Sequence, residues 1–168
     1  DPMVHYAKNE PQPRHMISVD ASYPVVIAES GFVAWHLGIK KTGLASVSAN
    51  ARIRSLNAGN FLTQVPGKAH MILVPGRNES NDTLKKRVTQ VMLDGVAKHG
   101  NKFGGTVTST TGGILVIASG KAVHSSTSEA GANALWLLAS IAQRLDLVAN
   151  EAHSMLSLVH THFNTHYG

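Results

Sequence analysis

Across residues 128–163 the apolar positions Ala134, Leu138, Ile141, Leu145, Val148, Ala152, Met155 and Val159 recur at alternating steps of four and three. That spacing keeps side chains on one stripe of an α-helix. The run has no proline, no glycine after Gly131, and only Glu129, Arg144, Asp146 and Glu151 as charged residues. It predicts a long C-terminal helix over about 128–163. Leu135, Leu137, Leu147, Leu156, Leu158 and Phe163 fall outside the main stripe, so more than one face is apolar and a single sheet covers only part of it. Unbroken, the helix would be about 52 Å long at ~1.5 Å per residue, against roughly 40 Å for a compact domain of this size. Either it breaks, with Asn150 as the place because its side chain can cap a new helix, or its end projects onto another copy or another protein.

A second helix is predicted over about 81–99. Ser80 or Asn81 can accept the unpaired backbone donors of its first turn, Asp82 suits the positive end, and Lys98 and His99 suit the negative end before Gly100 stops it. Leu84, Val88, Val91 and Met92 form its inward stripe. Other segments carry the two-residue period of strands. Val47, Ala49, Ala51 and Ile53 alternate with Ser48, Asn50, Arg52 and Arg54, and residues 69–74 form a continuous apolar run of the kind covered on both faces. Residues 103–111 and 114–118 read as two strands separated by Gly112 and Gly113, and short β-branched runs occupy 16–19, 24–28 and 32–39, with a hairpin connection at 40–43. Residues 57–60 read as a loop, and Pro66 with Gly67 as a turn.

Residues 1–15 are polar, with prolines at 2, 11 and 13, and read as a mobile or extended arm. Asp1 and Pro2 ahead of Met3 look like a cloning remnant. The predicted organisation is one α+β domain over 16–168: a mainly antiparallel sheet of five to seven strands, with the middle helix (about 81–99) and the long C-terminal helix (about 128–163) packed on it.

Composition narrows the function classes. Charged residues are 15% of the chain, below the roughly 25% of an average soluble domain. Such a polar but weakly charged surface fits extracytoplasmic, capsid-like or assembly proteins. The net charge of +5 permits an anionic partner, and ten histidines would add positive charge on mild acidification. With no cysteine, disulfides, thiolate metal sites and a cysteine nucleophile are excluded. No uncharged apolar run reaches the ~18 residues of a spanning helix, and the N-terminus lacks a signal pattern.

Candidate chemistry is sparse. His162 and His166 have the four-residue spacing that places two imidazoles on one helix face, but two ligands do not make a metal site, and His153 and His160 fall on another side. Gly76, Arg77, Asn78 and Ser80 join an apolar strand to a helix, where backbone N–H groups and the helix dipole can hold an anion. Glu79 would repel it. Arg52 and Arg54 beside Lys40 and Lys41, and Lys85, Lys86 and Arg87, form basic clusters, yet aromatics at 5% give no supply of stacking residues for nucleic acid. No serine lies in a glycine-flanked elbow, although Asp20, Glu29, His36 and His70 fall in or next to predicted strands. Asn78 and Asn81 each open a glycan-acceptor triplet.

The expectation is a non-enzymatic structural or assembly subunit without a cofactor. It would bind itself or another protein of a larger assembly through Leu138, Ile141, Leu145, Val148, Met155 and Val159. A small-ligand-binding or enzymatic α+β domain, with the 75–81 loop and His70 or His99 lining its site, is the first alternative. A basic nucleic-acid-associated module is the second.

Overall fold

The computed structural model describes residues 2–11, 14, 38 and 50–163. The chain divides into two units, Asp1–Val33 and Ala34–Gly168. In the first, Pro2–Asn9 forms helix α1, so the run expected to be extended contains two helical turns. Its proline stands at the first helical position, where the missing N–H costs nothing.

The second unit runs β1 (Arg52–Ala58), β2 (Lys68–Val74), α2 (Asn81–His99), β3 (Gly104–Thr110), β4 (Gly113–Ser119), α3 (Ala134–Gln143) and α4 (Glu151–His162). Short 3-10 turns occupy Gly100–Lys102 and Ser125–Ala130. The strands make one antiparallel sheet in the order β1-β2-β4-β3. The class is α+β. Among the described residues the sheet has four strands, not five to seven. The runs at 16–19, 24–28 and 32–39 apart from residue 38, the 40–43 connection and the start of the alternating segment at 47–49 lie outside the described residues.

Strand alternation places the core. Ala69, Met71 and Leu73 of β2 pair with Ala118, Val116 and Ile114 of β4, and all six are fully buried on one face. On the other face Ile72 and Val74 are half-buried and His70 is exposed, so the continuous apolar run of β2 is covered completely on one side only. In β1 the register shifts between Ile53 and Ser55. This bulge moves the inward set from Ala51 and Ile53 to Leu56 and Ala58, and the strand continues through residues expected to be loop.

α2 and α3 pack side by side on the buried face. Leu84, Val88 and Met92 of α2 and Leu137, Leu138 and Ile141 of α3 join a single cluster with the inward strand residues. Gly95 lies at this contact, its α-carbon turned toward Ile141 and Leu137. The boundaries of α2 are those its sequence predicts. Ser80 Oγ accepts from the Thr83 N–H at 3.1 Å, and Gly100 ends the helix at φ 65°.

The C-terminal helix is not continuous, and this corrects the expectation of one rod over 128–163. α3 ends at Gln143, residues 144–150 are non-helical, and α4 begins after Asn150. The cause is hydrogen bonding to the sheet. The Val148 N–H donates to the Ala51 carbonyl at 2.8 Å, and Leu147 bridges Ala51 in parallel. Asn150 serves two ends at once: its Oδ1 accepts from the His153 N–H at 2.9 Å, capping α4, while its Nδ2 donates to the Ile53 carbonyl at 2.6 Å. Asp146 accepts from Asn50 Nδ2 at 2.8 Å on the same strap. α4 then folds back on α3 and buries Leu156. The several apolar faces of α3 are thus met by the sheet, α2 and α4 together.

Candidate functional site

At the end of the sheet where β1 leaves and β2 enters, residues 63–67 of the connecting loop 59–67 are hydrogen-bonded to the connection between β4 and α3. The Val65 N–H donates to the Val123 carbonyl and the Ser125 N–H to the Thr63 carbonyl, both at 2.9 Å, with Gln64 bridging His124 between them. The Gly120 N–H donates to the Gly67 carbonyl at 2.9 Å and the Ala134 N–H to the Pro66 carbonyl at 2.7 Å. The loop and the β4–α3 connection therefore form a small ordered platform. Glycines make its close contacts possible: a Cβ at Gly67 would come within 2.8 Å of Ala122.

Two large apolar side chains stand on this platform in water. Phe61 is 69% and Leu62 73% exposed, while Val65, three residues on, is buried. Asn60, Thr63, Gln64, His124 and Ser125 form a polar surround in sequence and hydrogen bonding. His124 is itself fixed, its Nδ1 accepting from the Ser126 N–H at 3.2 Å. An open cleft of about 380 Å³ lies beside the platform, lined among others by Gly59, Asn60, Gln64, Gly67 and Lys68. Periodicity did not single out Phe61 and Leu62. The only sequence signal was two adjacent bulky apolar residues inside a segment otherwise read as loop and turn.

The residues expected to dock a partner divide. Leu138, Ile141 and Leu145 are buried in the core and present no surface; Val148, Met155 and Val159 are half-buried on the strap and α4. The apolar excess of the C-terminal region is largely consumed inside the molecule.

The anion candidates Gly76, Arg77, Asn78 and Ser80 do lie at the start of α2. Ser80 Oγ already accepts from the first turn, and Glu79 makes a two-pronged pair with Arg87 at 3.1 and 3.0 Å. The adjoining cleft of about 350 Å³ is lined by Asn50, Asn78, Glu79, Arg87 and Asp146. Two carboxylates beside one already paired guanidinium do not favour an anion.

His70 points from the outer face of β2, whereas His99 lies at the end of α2 on the helix side, edge-on to Trp136 at 4.9 Å between ring centroids. They do not converge. His153 is half-buried and His160 and His162 exposed; His166, Asp20, Glu29 and His36 lie outside the described residues. Among the described residues no group of three metal-ligating side chains gathers. The basic clusters are partly engaged as well: Arg54 donates to the Gly112 carbonyl at 3.3 Å, and Arg87 is held by Glu79. No helix among the described residues is long and apolar enough to cross a membrane. No protein-family model and no curated protein matches the chain.

Proposed function

We propose that the protein is a non-enzymatic docking or assembly subunit, and that Phe61 and Leu62 are the anchors of its contact with another protein. The observation that carries this is the exposure of both side chains immediately before residues 63–67, which backbone hydrogen bonds hold in place. An apolar anchor on a rigid support loses little conformational freedom on binding, which is the economy of interface hot spots. A polar surround of amides and hydroxyls matches the rim of such contacts.

The test is affinity purification of the full chain from its native cells, wild type against F61S/L62S, with co-purifying proteins quantified. Both positions are exposed, so the variant is expected to keep its stability within ~0.5 kcal/mol. Loss of a defined partner in the variant supports the reading. Identical recovery from both chains would overturn it, as would a small molecule retained stoichiometrically in native mass spectrometry.

A further inference from the structure

We propose that the outer edge of β3 is a self-association edge, onto which a second copy of the chain adds its own β3 antiparallel about a two-fold axis, fusing two four-stranded sheets into one. The surface is separate from the Phe61–Leu62 platform and does not depend on it.

The molecule treats the two edges of its sheet differently. On the β1 side the Ala51 and Ile53 carbonyls are occupied by the Val148 N–H and the Asn150 side chain. The strand is kinked by its bulge and carries Arg52 and Arg54. Covering, bulging and charge are the devices that stop an edge from recruiting another strand. Among the described residues β3 has none of them. It pairs with β4 without a register shift from Gly104 to Thr110, and its sequence GGTVTST holds no charge and no proline. Gly105, Thr106, Thr108, Ser109 and Thr110 are exposed. Among the described residues no backbone hydrogen bond leaves its outer edge.

The strand also suits its own image. Antiparallel pairing centred on Val107 sets Thr106 opposite the partner's Thr108, Gly105 opposite the partner's Ser109, and Gly104 opposite the partner's Thr110. Like charges directly opposed would disfavour such a pair, and there are none; opposed threonines pack and hydrogen-bond well. Val107 packs against the core from the helix side, so the two copies of it would meet under the paired α2 helices. Leu93, 59% exposed, adds apolar surface there. Gly95 and Asp94 turn toward α3, through Ile141 and Arg144, whereas Met92 covers Gly105 of β3. One further helical step past Met92 carries Leu93 outward on the β3 flank. Seven paired residues make less contact than the ~1,200–2,000 Å² of stable dimers, so the association is reversible and concentration-dependent.

Sedimentation equilibrium of the 168-residue chain tests this. The weight-average mass is expected to rise from 17.9 kDa toward twice that value with concentration. T106K/T108K, with thermal stability checked, should remain monomeric; mixing it with T106E/T108E should restore the dimer, and F61S/L62S should dimerise like the wild type. A wild type that stays at 17.9 kDa overturns the proposal. So does a dimer that survives in T106K/T108K, a Lys–Glu mixture that fails to associate, or a dimer lost in F61S/L62S. Should the charged variants misfold, amide exchange on the wild type decides: protection of β3 amides must rise at least tenfold between dilute and concentrated samples, and no rise overturns the pairing.

Discussion

The sequence places Gly112 and Gly113 between two strands without distinguishing them, whereas β4 begins at Gly113 itself. The structure tells them apart. Gly113 has φ 126°, and a Cβ there would run into the Leu73 carbonyl of β2. At Gly112 the nearest heavy atom to a new Cβ is Arg54 Nη1 at 3.4 Å, the end of a flexible side chain. Gly113→Ala is therefore expected to lose ~2–3 kcal/mol, from a backbone region closed to alanine together with a collision against main chain that cannot yield. Gly112→Ala should lose less than ~1 kcal/mol. Urea unfolding midpoints of the two variants decide it, and equal losses would mean that the strand ladder yields more easily than its geometry implies.

Among the elements, α2 was legible because both its ends are written locally, with Ser80 and Asp82 before the apolar stripe and Lys98, His99 and Gly100 after it. The C-terminal helices were legible as helix but not as two helices. Leu145 and Val148 keep the phase of the stripe straight through the break, so periodicity sees no interruption. What interrupts it is a bond between Asn150 and Ile53, 97 positions apart, which no local pattern contains. Asn150 could be named as a capping residue from its side chain; the strap before it could not. The β1 bulge was hidden for a similar reason, since alternation up to Arg54 gives no warning that the inward set changes at Leu56. Phe61 and Leu62 went unread because exposure is a property of the packed loop, not of the residue type.

The strap makes a prediction at this scale. Asn150→Ala removes the cap of α4 and the donor to the Ile53 carbonyl together, for an expected loss of ~1.5–3 kcal/mol. Asn150→Asp keeps the acceptor that caps the helix and discards the donor, and should lose about half as much. Chemical denaturation of both, with amide exchange at Val148 as the local reporter, separates the two roles. If Asp behaves like Ala, the bond to the strand dominates and the cap is secondary.

For the whole molecule, the fate of the C-terminal apolar residues decides which surfaces are available. Leu138 is fully buried between the sheet and its neighbouring helices. Leu138→Ala is expected to cost ~2–5 kcal/mol by opening a cavity, and to leave the concentration dependence of the molecular mass unchanged under native conditions. A stable Leu138→Ala chain with altered association would return the docking role to the helix stripe. The expected result would agree with the contacts proposed at the loop platform and the β3 edge.

Asn150 also sets an order of events during synthesis. The carbonyl it caps on β1 lies 97 residues upstream. At about 5–20 residues per second, a ribosome exposes that rim roughly 5–20 seconds before the residue that closes it is made. A nascent chain thus carries the β1 margin uncapped while the other three strands of the sheet are already made.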